Sequence, residues 1–277
     1  MSATVLRGAP RRPSAARLGL HRATIELKSF FRERDAVVFT FAMPAVILAL
    51  LGSIFDGVYP GSDVTSAQYL APSMIAAGVA STTFINLGTS IAADRDDGTL
   101  RRLRGAPMPP SAYFIGKILM ALVVTVGETV VLLGIAVVAF DLSLPTDPAR
   151  WLTFGWVFLL GATACALTGI AASSLARSAR SAGAVMNLPY LVLAFISGVF
   201  YTPVGQLPEP LVTIGSLFPL KWMAQGFRSV FLPDSILPQE VVPSWEHGRI
   251  ALVLAAWCIG GMVLCLTTFR WRGRRGR

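Results

Sequence analysis

The sequence holds few residues in the arrangements that catalyse reactions. Its only two histidines, His21 and His247, are far apart, and neither an H-E-x-x-H nor a G-x-S-x-G motif occurs. The phosphate-binding pattern G-x-x-x-x-G-K-[ST] is also missing, because position 111 is Ser and Ile118 follows the pair Gly116 and Lys117. We therefore expect no catalytic residue, no metal ligand and no bound cofactor on this chain. Any ATP and Mg²⁺ that its function requires would bind a partner chain.

A short charged segment suggests a different activity, namely binding to a soluble protein. Residues 94–117 read D-R-D-D-G-T-L-R-R-L-R-G-A-P-M-P-P-S-A-Y-F-I-G-K and lie between two apolar runs. Acidic residues come first, which favours a helix start because anionic groups are stabilised near a helix N-terminus. The helix-capable part is closed by three prolines, Pro107, Pro109 and Pro110. Because charges are costly in hydrocarbon, we expect this segment to lie at a membrane surface.

Apolar runs of membrane-spanning length make up most of the remaining chain. Hydrophobic residues occupy 54% of the 277 positions and charged residues only 14%, against roughly 25% charged in soluble domains. A run of about 20 apolar residues crosses a hydrocarbon core of about 30 Å. We predict six spans, at residues 36–55, 69–93, 118–140, 151–175, 182–200 and 250–269. The fold class is therefore an all-α polytopic membrane protein with six transmembrane helices.

Lysine and arginine are distributed unequally between the two sides of this predicted bundle. Of the 24 Lys and Arg residues, the outer side has only Arg150, Lys221, Arg228 and Arg249. The positive-inside rule therefore predicts that both termini are cytoplasmic. Orientation also accounts for the net charge of +9, so we do not expect nucleic acid as a partner. The basic cytoplasmic tail, residues 270–277, either only sets the topology or also contacts the headgroups of membrane lipids.

The segments outside the spans have distinct expected roles. Residues 1–17 form a basic cytoplasmic arm, rich in Pro, Ser and Ala, that we expect to be disordered. The transmembrane domain, residues 18–269, then begins with an amphipathic interfacial helix that has Arg22 and Glu26 on its polar face. On the outer side before the sixth span, residues 218–232 are apolar-rich but too few to cross, which predicts a re-entrant or interfacial helix. Lys221 and Arg228 would point from it to headgroups or water.

Three stretches of the sequence, in the order in which they occur, match the sequence motifs of one protein family. Residues 32–55 read R-E-R-D-A-V-V-F-T-F-A-M-P-A-V-I-L-A-L-L-G-S-I-F. Residues 95–107 read R-D-D-G-T-L-R-R-L-R-G-A-P, similar to R-E-x-G-T-L-x-R-L-x-x-x-P, and G-K follows at the next span. Residues 218–228 read F-P-L-K-W-M-A-Q-G-F-R. Together they resemble the membrane-spanning permeases of type-2 ABC exporters, of the daunorubicin-resistance kind.

Two residues depart from the pattern of that family. Asp96 stands where the family often has Glu, which keeps the charge. Gln225 stands in the outer motif where an acidic residue is common, so a Glu–Arg pair with Arg228 is not expected within that motif.

The resemblance implies the partners of this chain. A transporter of this family has two permeases and two copies of a cytoplasmic ABC ATP-binding subunit, here expected as a separate chain. The second permease would be an identical copy or a related chain. The family's segment between spans 2 and 3 forms a cytoplasmic coupling helix that docks on the ATPase. Carried over to this sequence, its contacts are Arg95, Asp96, Gly98, Thr99, Leu100, Leu103 and Arg104, with Leu100 and Leu103 as an apolar ridge. The alternative is a plain basic loop.

Polar and aromatic residues inside the predicted spans are candidates for a substrate path. Glu128 lies near the middle of the third span, where a charge costs about 2.5–3.5 kcal/mol on insertion scales. It is either an acid that attracts cationic amphiphiles or a hydrogen-bonded carboxyl that packs against another span. Asn86 and Asn187 either line the path or form interhelical hydrogen bonds. Phe195 and Phe200 either line an exit for flat apolar molecules or pack against lipid.

The expected function is ATP-driven export of a hydrophobic drug, antibiotic or lipid-like molecule across a bacterial cell membrane. Export of a polysaccharide or lipid-linked glycan by the same mechanism is the alternative within the class. From other classes, an intramembrane enzyme is disfavoured by the missing catalytic motifs, and a non-transporting membrane scaffold would show no ATPase activity stimulated by substrate.

Overall fold

The computed structural model describes residues 14–55, 57–105, 109–201 and 203–269, without the side chain of Arg104. These residues form eleven α-helices, and six helices are long and apolar enough to cross a membrane. The predicted all-α class with six spans is therefore confirmed. Most of the predicted basic arm, Pro107 and the predicted tail lie outside the described residues.

The six spans follow one another in the predicted order, and they are α2 (Arg34–Ile54), a continuous helix over Ser66–Asp96, α6 (Pro110–Phe140), α7 (Pro148–Ala172), α8 (Ala179–Ile196) and α11 (His247–Thr268). Here they are numbered spans 1 to 6. Span 2 comprises α3 (Ser66–Ala80), a π-helical segment (Ser81–Asn86) and α4 (Leu87–Asp96). The largest difference from prediction is at span 3, which begins at Pro110 rather than at 118.

The shorter helices lie outside these spans, and they are α1 (Ala15–Arg32), α5 (Thr99–Gly105), α9 (Glu209–Gly215) and α10 (Pro219–Phe231). Two 3₁₀ turns, Val204–Gln206 and Asp234–Gln239, follow span 5 and α10. Local sequence explains where several helices begin. Thr65 and Ser178 form capping boxes before α3 and α8, and Asp147 caps α7 just before a proline at its first position.

Span 2 is the central helix of the bundle. Most of its residues are buried, whereas most of span 1 is exposed. Small residues of α7 let span 4 approach it closely. At Gly169, a Cβ atom would lie 2.7 Å from the backbone oxygen of Phe84 in the π-helical segment. The π-helical turn therefore packs backbone to backbone against span 4.

Helix α10 is inserted among the spans, where it packs against α3, α7 and α11. Every residue from Pro219 to Phe231 is buried. The prediction that Lys221 and Arg228 point to headgroups or water is therefore wrong, because their side chains are buried inside the protein. The long irregular segment before span 6 supplies the acidic partner of Arg228, Glu240.

The first helix, α1, packs along α6 with a face that includes Gly19, Ala23 and Glu26. Leu20 and Phe31 are exposed, as suits side chains that contact lipid at a membrane interface. Glu26, which the sequence places on the polar face, is instead buried against span 3.

Candidate functional site

A cleft of about 700 Å³ opens between span 1, span 2 and span 5. Its walls are mainly apolar, and the residues that line it include Phe39, Met43, Ile47, Met74, Leu188, Leu191 and Phe200. Two amides, Asn86 and Asn187, also line it. Three of the five predicted path residues, Asn86, Asn187 and Phe200, are thus brought together in a single cavity. An apolar cavity with a few polar groups is typical of a site for small hydrophobic ligands.

The two asparagines of the cleft have weak or local partners. The Nδ2 atom of Asn86 lies 3.4 Å from the hydroxyl of Thr40 on span 1, at the long end for a hydrogen bond. Asn187 Nδ2 donates to the backbone oxygen of Gly183 within its own helix, at 2.8 Å. Asn86 thus links span 2 to span 1, whereas the bond of Asn187 stays within span 5, and its side-chain oxygen can accept a hydrogen bond from a ligand.

The other two predicted path residues lie outside this cleft. Phe195 is half-exposed and contacts Phe200, with 5.3 Å between the ring centroids. Glu128 is only 2% exposed and does not line the cleft. Its Oε2 accepts a hydrogen bond from the Thr82 hydroxyl at 2.9 Å, at the start of the π-helical segment. This placement corresponds to the packing interpretation of Glu128, in which its carboxyl holds span 3 against span 2.

Next to the cleft, a second cavity of about 680 Å³ is lined by α1, span 1, the C-terminal half of span 2 and span 3. It shares Phe39, Thr40 and Asn86 with the cleft, so the two cavities adjoin. Its lining is more polar and contains the carboxylates of Glu26, Glu33, Asp94 and Asp97.

A buried lysine of span 3, Lys117, joins α1 and span 2 to its own span at this second cavity. Lys117 Nζ lies 2.9 Å from Glu26 of α1 and 2.8 Å from Asp94 at the end of span 2. It also donates to the Ser90 hydroxyl at 2.6 Å. The side chain of Lys117 is 2% exposed. A buried ammonium requires such partners, since an unpaired one would be strongly destabilising.

The glycine before Lys117 explains why α1 can reach this cluster. A Cβ atom at Gly116 would lie 2.6 Å from Arg22 Cγ, so any other residue would force α1 away. Arg22 in turn pairs with Glu26, and the Tyr113 hydroxyl donates to Asp94 at 2.7 Å. The sequence pattern alone did not predict this cluster as a site. The G-K pair is its one visible signal, since Glu26 and Asp94 are distant in sequence.

The charged segment between spans 2 and 3 turns sharply before α5. Asp97 Oδ1 accepts the Thr99 N–H at 2.8 Å, and Gly98 has a φ of +80°, in the left-handed region that favours glycine. This hydrogen bond lowers the pKa of the Asp97 carboxyl below its ordinary value. The G-T dipeptide therefore makes the tight turn, and the aspartate caps the helix that follows.

Two residues predicted to contact an ATPase, Arg95 and Asp96, bind the turn between spans 4 and 5 within this chain. Arg95 Nη2 donates to the backbone oxygens of Ser173 and Ala176, at 2.8 and 2.7 Å. Asp96 Oδ2 accepts the N–H of Ala179 at 3.0 Å. Three consecutive side chains, Asp94 to Asp96, thus connect the end of span 2 to spans 3, 4 and 5 respectively.

The predicted apolar ridge of α5 faces inward. Leu100 is 1% exposed and packs in a cluster with Leu87, Ile91, Tyr113 and Ile170, against which Leu103 is partly buried. The exposed side of α5 carries Arg101 and Arg102 instead, and the side chain of Arg104 is not among those described. Leu100 thus anchors α5 to the spans, and any contact of α5 with a partner would be made by its basic face.

The described residues contain no group of three His, Cys, Asp or Glu side chains that could hold a metal ion. The arrangement is instead that of a mainly apolar cleft inside a helical bundle, next to a polar cavity that residues of the charged segment line. Such a cleft can hold a small apolar molecule.

Comparisons with known proteins agree with this arrangement. The family described as ABC-2 type transporter matches residues 23–232. A Bacillus subtilis protein named "Putative transport permease YvfS" is 23% identical over 239 residues, which cover 86% of this chain and 91% of that protein. An Escherichia coli K12 protein named "Probable multidrug ABC transporter permease YbhR" is 24% identical over 169 residues, which cover 61% of this chain and 45% of that protein.

The matched residues run from α1 to the end of α10 and include the charged segment, both cavities and the buried helix α10. This match confirms the resemblance found in the sequence, and it fits a multi-pass membrane protein with six spans. The chain therefore belongs to the ABC-2 type transporter family, as the transmembrane permease of an ABC transporter.

Proposed function

We propose that this permease exports a hydrophobic drug-like, antibiotic or lipid-like molecule from a bacterial cell, with energy from ATP hydrolysis on a separate subunit. The observation that carries the proposal is the cleft between spans 1, 2 and 5, with its apolar walls and two amides. The name of the Escherichia coli relative, which includes "multidrug", supports the same substrate class.

We also propose an assembly for the transporter. Span 1 forms one wall of the cleft and is mostly exposed elsewhere. A second permease, identical or related, would cover that exposed side. Two copies of the ATP-binding subunit would contact the charged segment from the cytoplasm, where the positive-inside rule also locates both termini. The chain itself would supply no catalytic group and bind neither ATP nor Mg²⁺.

The chemistry of the cleft favours a hydrophobic substrate over a glycan. A glycan presents many hydroxyl groups, and each buried one needs a hydrogen-bond partner. The described lining offers mainly Phe, Met, Ile, Leu and Ala side chains with only a few polar groups. A flat or flexible apolar molecule with one or two acceptors for the asparagine amides fits this lining better.

The test begins with affinity purification of the tagged chain from native membranes, together with its ATP-binding subunit. The complex is reconstituted in proteoliposomes, and ATP-dependent transport of a hydrophobic fluorescent dye is measured beside substrate-stimulated ATPase activity. We expect both activities with the dye. Stimulation by a lipid-linked glycan alone would favour glycan export, and no stimulation by either compound would favour a scaffold.

A matched pair of methionines tests the cleft itself. Met43 lines the cleft on span 1, whereas Met262 is comparably exposed on span 6 and lines none of the cavities described above. We expect Met43→Ala to raise the KM for the dye and Met262→Ala to leave it unchanged. Equal effects of the two variants, or no effect of either, would contradict the cleft as the substrate site.

A further inference from the structure

A third cavity, of about 360 Å³, lies between spans 4, 5 and 6 and the start of α10. We call it the lateral groove, and its lining includes Cys165, Leu193, Phe218, Trp257 and Leu264. Tyr190 of span 5 lines both this groove and the cleft, and its hydroxyl donates to the backbone oxygen of Ala77 on span 2 at 3.0 Å. The groove is therefore separate from the cleft, and one side chain lies between the two.

The lateral groove runs along the C-terminal halves of spans 4 and 6. These spans are parallel, because two S–H···O=C bonds join them with the same offset along both helices. At one end the rings of Phe218 and Trp257 stack, with 5.7 Å between their centroids. At the other end are Ser174, just beyond α7, and Thr268, the last residue of α11. From Trp257 to Thr268 the helix rises about 16 Å at 1.5 Å per residue, which is about half of a hydrocarbon core of about 30 Å. The groove thus has the depth of one leaflet.

The polar groups along the groove already have hydrogen-bond partners within the protein. The hydroxyl of Thr168 donates to backbone oxygens of its own helix, and that of Thr268 donates to the backbone oxygen of Leu264. The hydroxyl of Tyr190 is bonded to span 2. A polar ligand would therefore lose its hydrogen bonds to water in the groove without replacement, which is costly. Only hydrocarbon fits this wall.

Ser174, at the shallow end of the groove, is the exception. Its Oγ is buried and has no hydrogen-bond partner among the described residues, although such a group costs free energy when it is left unpaired. Beside it, Leu175 and Leu264 line the groove and are exposed, so the groove is open to the membrane. The arrangement suits a ligand with a long apolar chain and a hydrogen-bond acceptor at its shallow end.

We propose that the lateral groove holds one acyl chain of a membrane phospholipid, from the leaflet at the C-terminal end of span 6. The terminal methyl group of the chain lies against Phe218 and Trp257, and its ester carbonyl oxygen accepts a hydrogen bond from the Ser174 hydroxyl. This inference does not depend on which molecule the protein exports. The bound chain contacts Tyr190 from the side opposite the cleft, so it supports a wall of the proposed substrate site.

Photo-labelling of the full complex tests the site. The permease and its ATP-binding subunit are reconstituted in vesicles of phosphatidylethanolamine and phosphatidylglycerol. A small fraction of the phosphatidylethanolamine has a diazirine near the terminal methyl group of one acyl chain. Ile259 reports contact with bulk lipid, since it is exposed on span 6 and does not line the groove. After irradiation and tandem mass spectrometry, we expect several-fold more adduct at Phe218 and Trp257 than at Ile259. Equal labelling would overturn the inference.

A matched pair of alanines tests whether the label reaches Trp257 through the groove. Ala172 lines the groove, whereas Ala256 is exposed on span 6 and does not line it. Ala172→Phe should lower the labelling of Trp257 several-fold and leave that of Ile259 unchanged, and Ala256→Phe should alter neither. Unchanged labelling of Trp257 in an assembled Ala172→Phe complex would count against the groove. If that variant does not assemble, the comparison with Ile259 in the unaltered protein still decides.

The hydrogen bond to Ser174 is tested with an ether-linked phospholipid that carries the same diazirine but no carbonyl group. We expect the ester lipid to label Trp257 several-fold more than the ether lipid does. Ser174→Ala should remove this difference, because neither lipid then has a partner at that position. Equal labelling by the two lipids in the unaltered protein would overturn the proposed position of the ester group.

The hydrophobic dye of the transport assay separates a bound lipid from an exported molecule. At a dye concentration that saturates transport, we expect the labelling of Trp257 to remain unchanged. Its loss with increasing dye would overturn the lipid site and would make the groove part of the substrate route, with ATP-driven export still standing. Labelling of the groove in a complex that transports no dye would contradict the proposed function alone.

Discussion

Arg228 and Glu240 form a bidentate ion pair inside the helical bundle. Arg228 Nε donates to one carboxylate oxygen at 2.6 Å, and Nη2 donates to the other at 2.9 Å. Their side chains are 0% and 1% exposed. Arg228 also donates to Ser73, and the Tyr69 hydroxyl donates to Glu240. The pair thus joins α10 and the segment before span 6 to span 2.

The first prediction concerns the removal of one member of this pair. Glu240→Ala leaves the Arg228 guanidinium buried without its carboxylate, and breaking such a pair costs about 3–5 kcal/mol. We expect a loss of that order in the free energy of unfolding, measured by denaturant titration of the purified protein in detergent.

An ion pair with one exposed member provides the control. Arg249 and Glu246 pair at 2.6 Å with the arginine 66% exposed, so Arg249→Ala should cost less than about 1 kcal/mol. The double variant Arg228→Met with Glu240→Leu should be more stable than Glu240→Ala, because neither charge of the buried pair remains. Equal losses for Glu240→Ala and Arg249→Ala would contradict the buried pair.

The second prediction concerns Lys117, which holds α1 against the bundle. Lys117→Met leaves the carboxylates of Glu26 and Asp94 without their shared cation. We expect α1 to detach, and limited trypsin digestion should then cleave at Arg22, which packs against Gly116 of span 3 in the native protein and should resist cleavage there. Lys28, exposed on the same helix, supplies the control, since Lys28→Met removes no cluster contact. Equal cleavage in both variants would argue against the cluster as the anchor of α1.

The third prediction concerns the turn before α5. Gly98 has a positive φ, so Gly98→Ala introduces backbone strain of the order of 1 kcal/mol. We expect insertion and assembly to be retained, with less substrate transported for each ATP hydrolysed, because α5 is displaced from its contacts. Gly105→Ala adds the same methyl group at the other end of α5, where nothing lies within 4 Å, and should leave this ratio unchanged. A normal ratio in Gly98→Ala would show that the turn does not contribute to coupling.

The spans were predictable from the sequence, whereas the polar clusters were only partly so. Long apolar runs identify spans because backbone groups in lipid must bond within their own helix. The burial of Arg228 was not predictable, because its partner Glu240 lies in an irregular segment with no periodic pattern. The inward direction of Leu100 likewise depends on α5 packing under Ile170 of span 4. Such contacts join residues that are distant in sequence, and no local pattern encodes them.

The fourth prediction concerns pH and the Asp97 cap of α5. The Thr99 N–H stabilises the carboxylate form, so the pKa of Asp97 is lower in the folded protein than its ordinary value of about 3.9. The stabilisation is therefore complete at neutral pH, and it is lost as the pH falls through the ordinary value and then through the folded one. We expect hydrogen-exchange protection of the α5 amides to fall on acidification, and Asp97→Ala to abolish that dependence. As a control, Asp63→Ala changes an exposed residue in the loop before span 2 and should leave this pH dependence unchanged.

The last prediction concerns the contact between span 2 and span 3 at the middle of the membrane. A Cβ atom at Gly78 would lie 2.5 Å from Glu128 Oε1, so Gly78→Ala forces the carboxyl away from Thr82. Overpacking of this kind costs about 1–3 kcal/mol. Glu128→Ala removes the obstacle. The double variant should therefore lose less free energy of unfolding than the two single variants lose together, and we expect a difference of about 0.5–3 kcal/mol. Additive losses would contradict the contact between Gly78 and Glu128. A double variant that loses less than the sum, together with normal dye export by Glu128→Gln, would establish Glu128 as a packing carboxyl rather than a substrate contact.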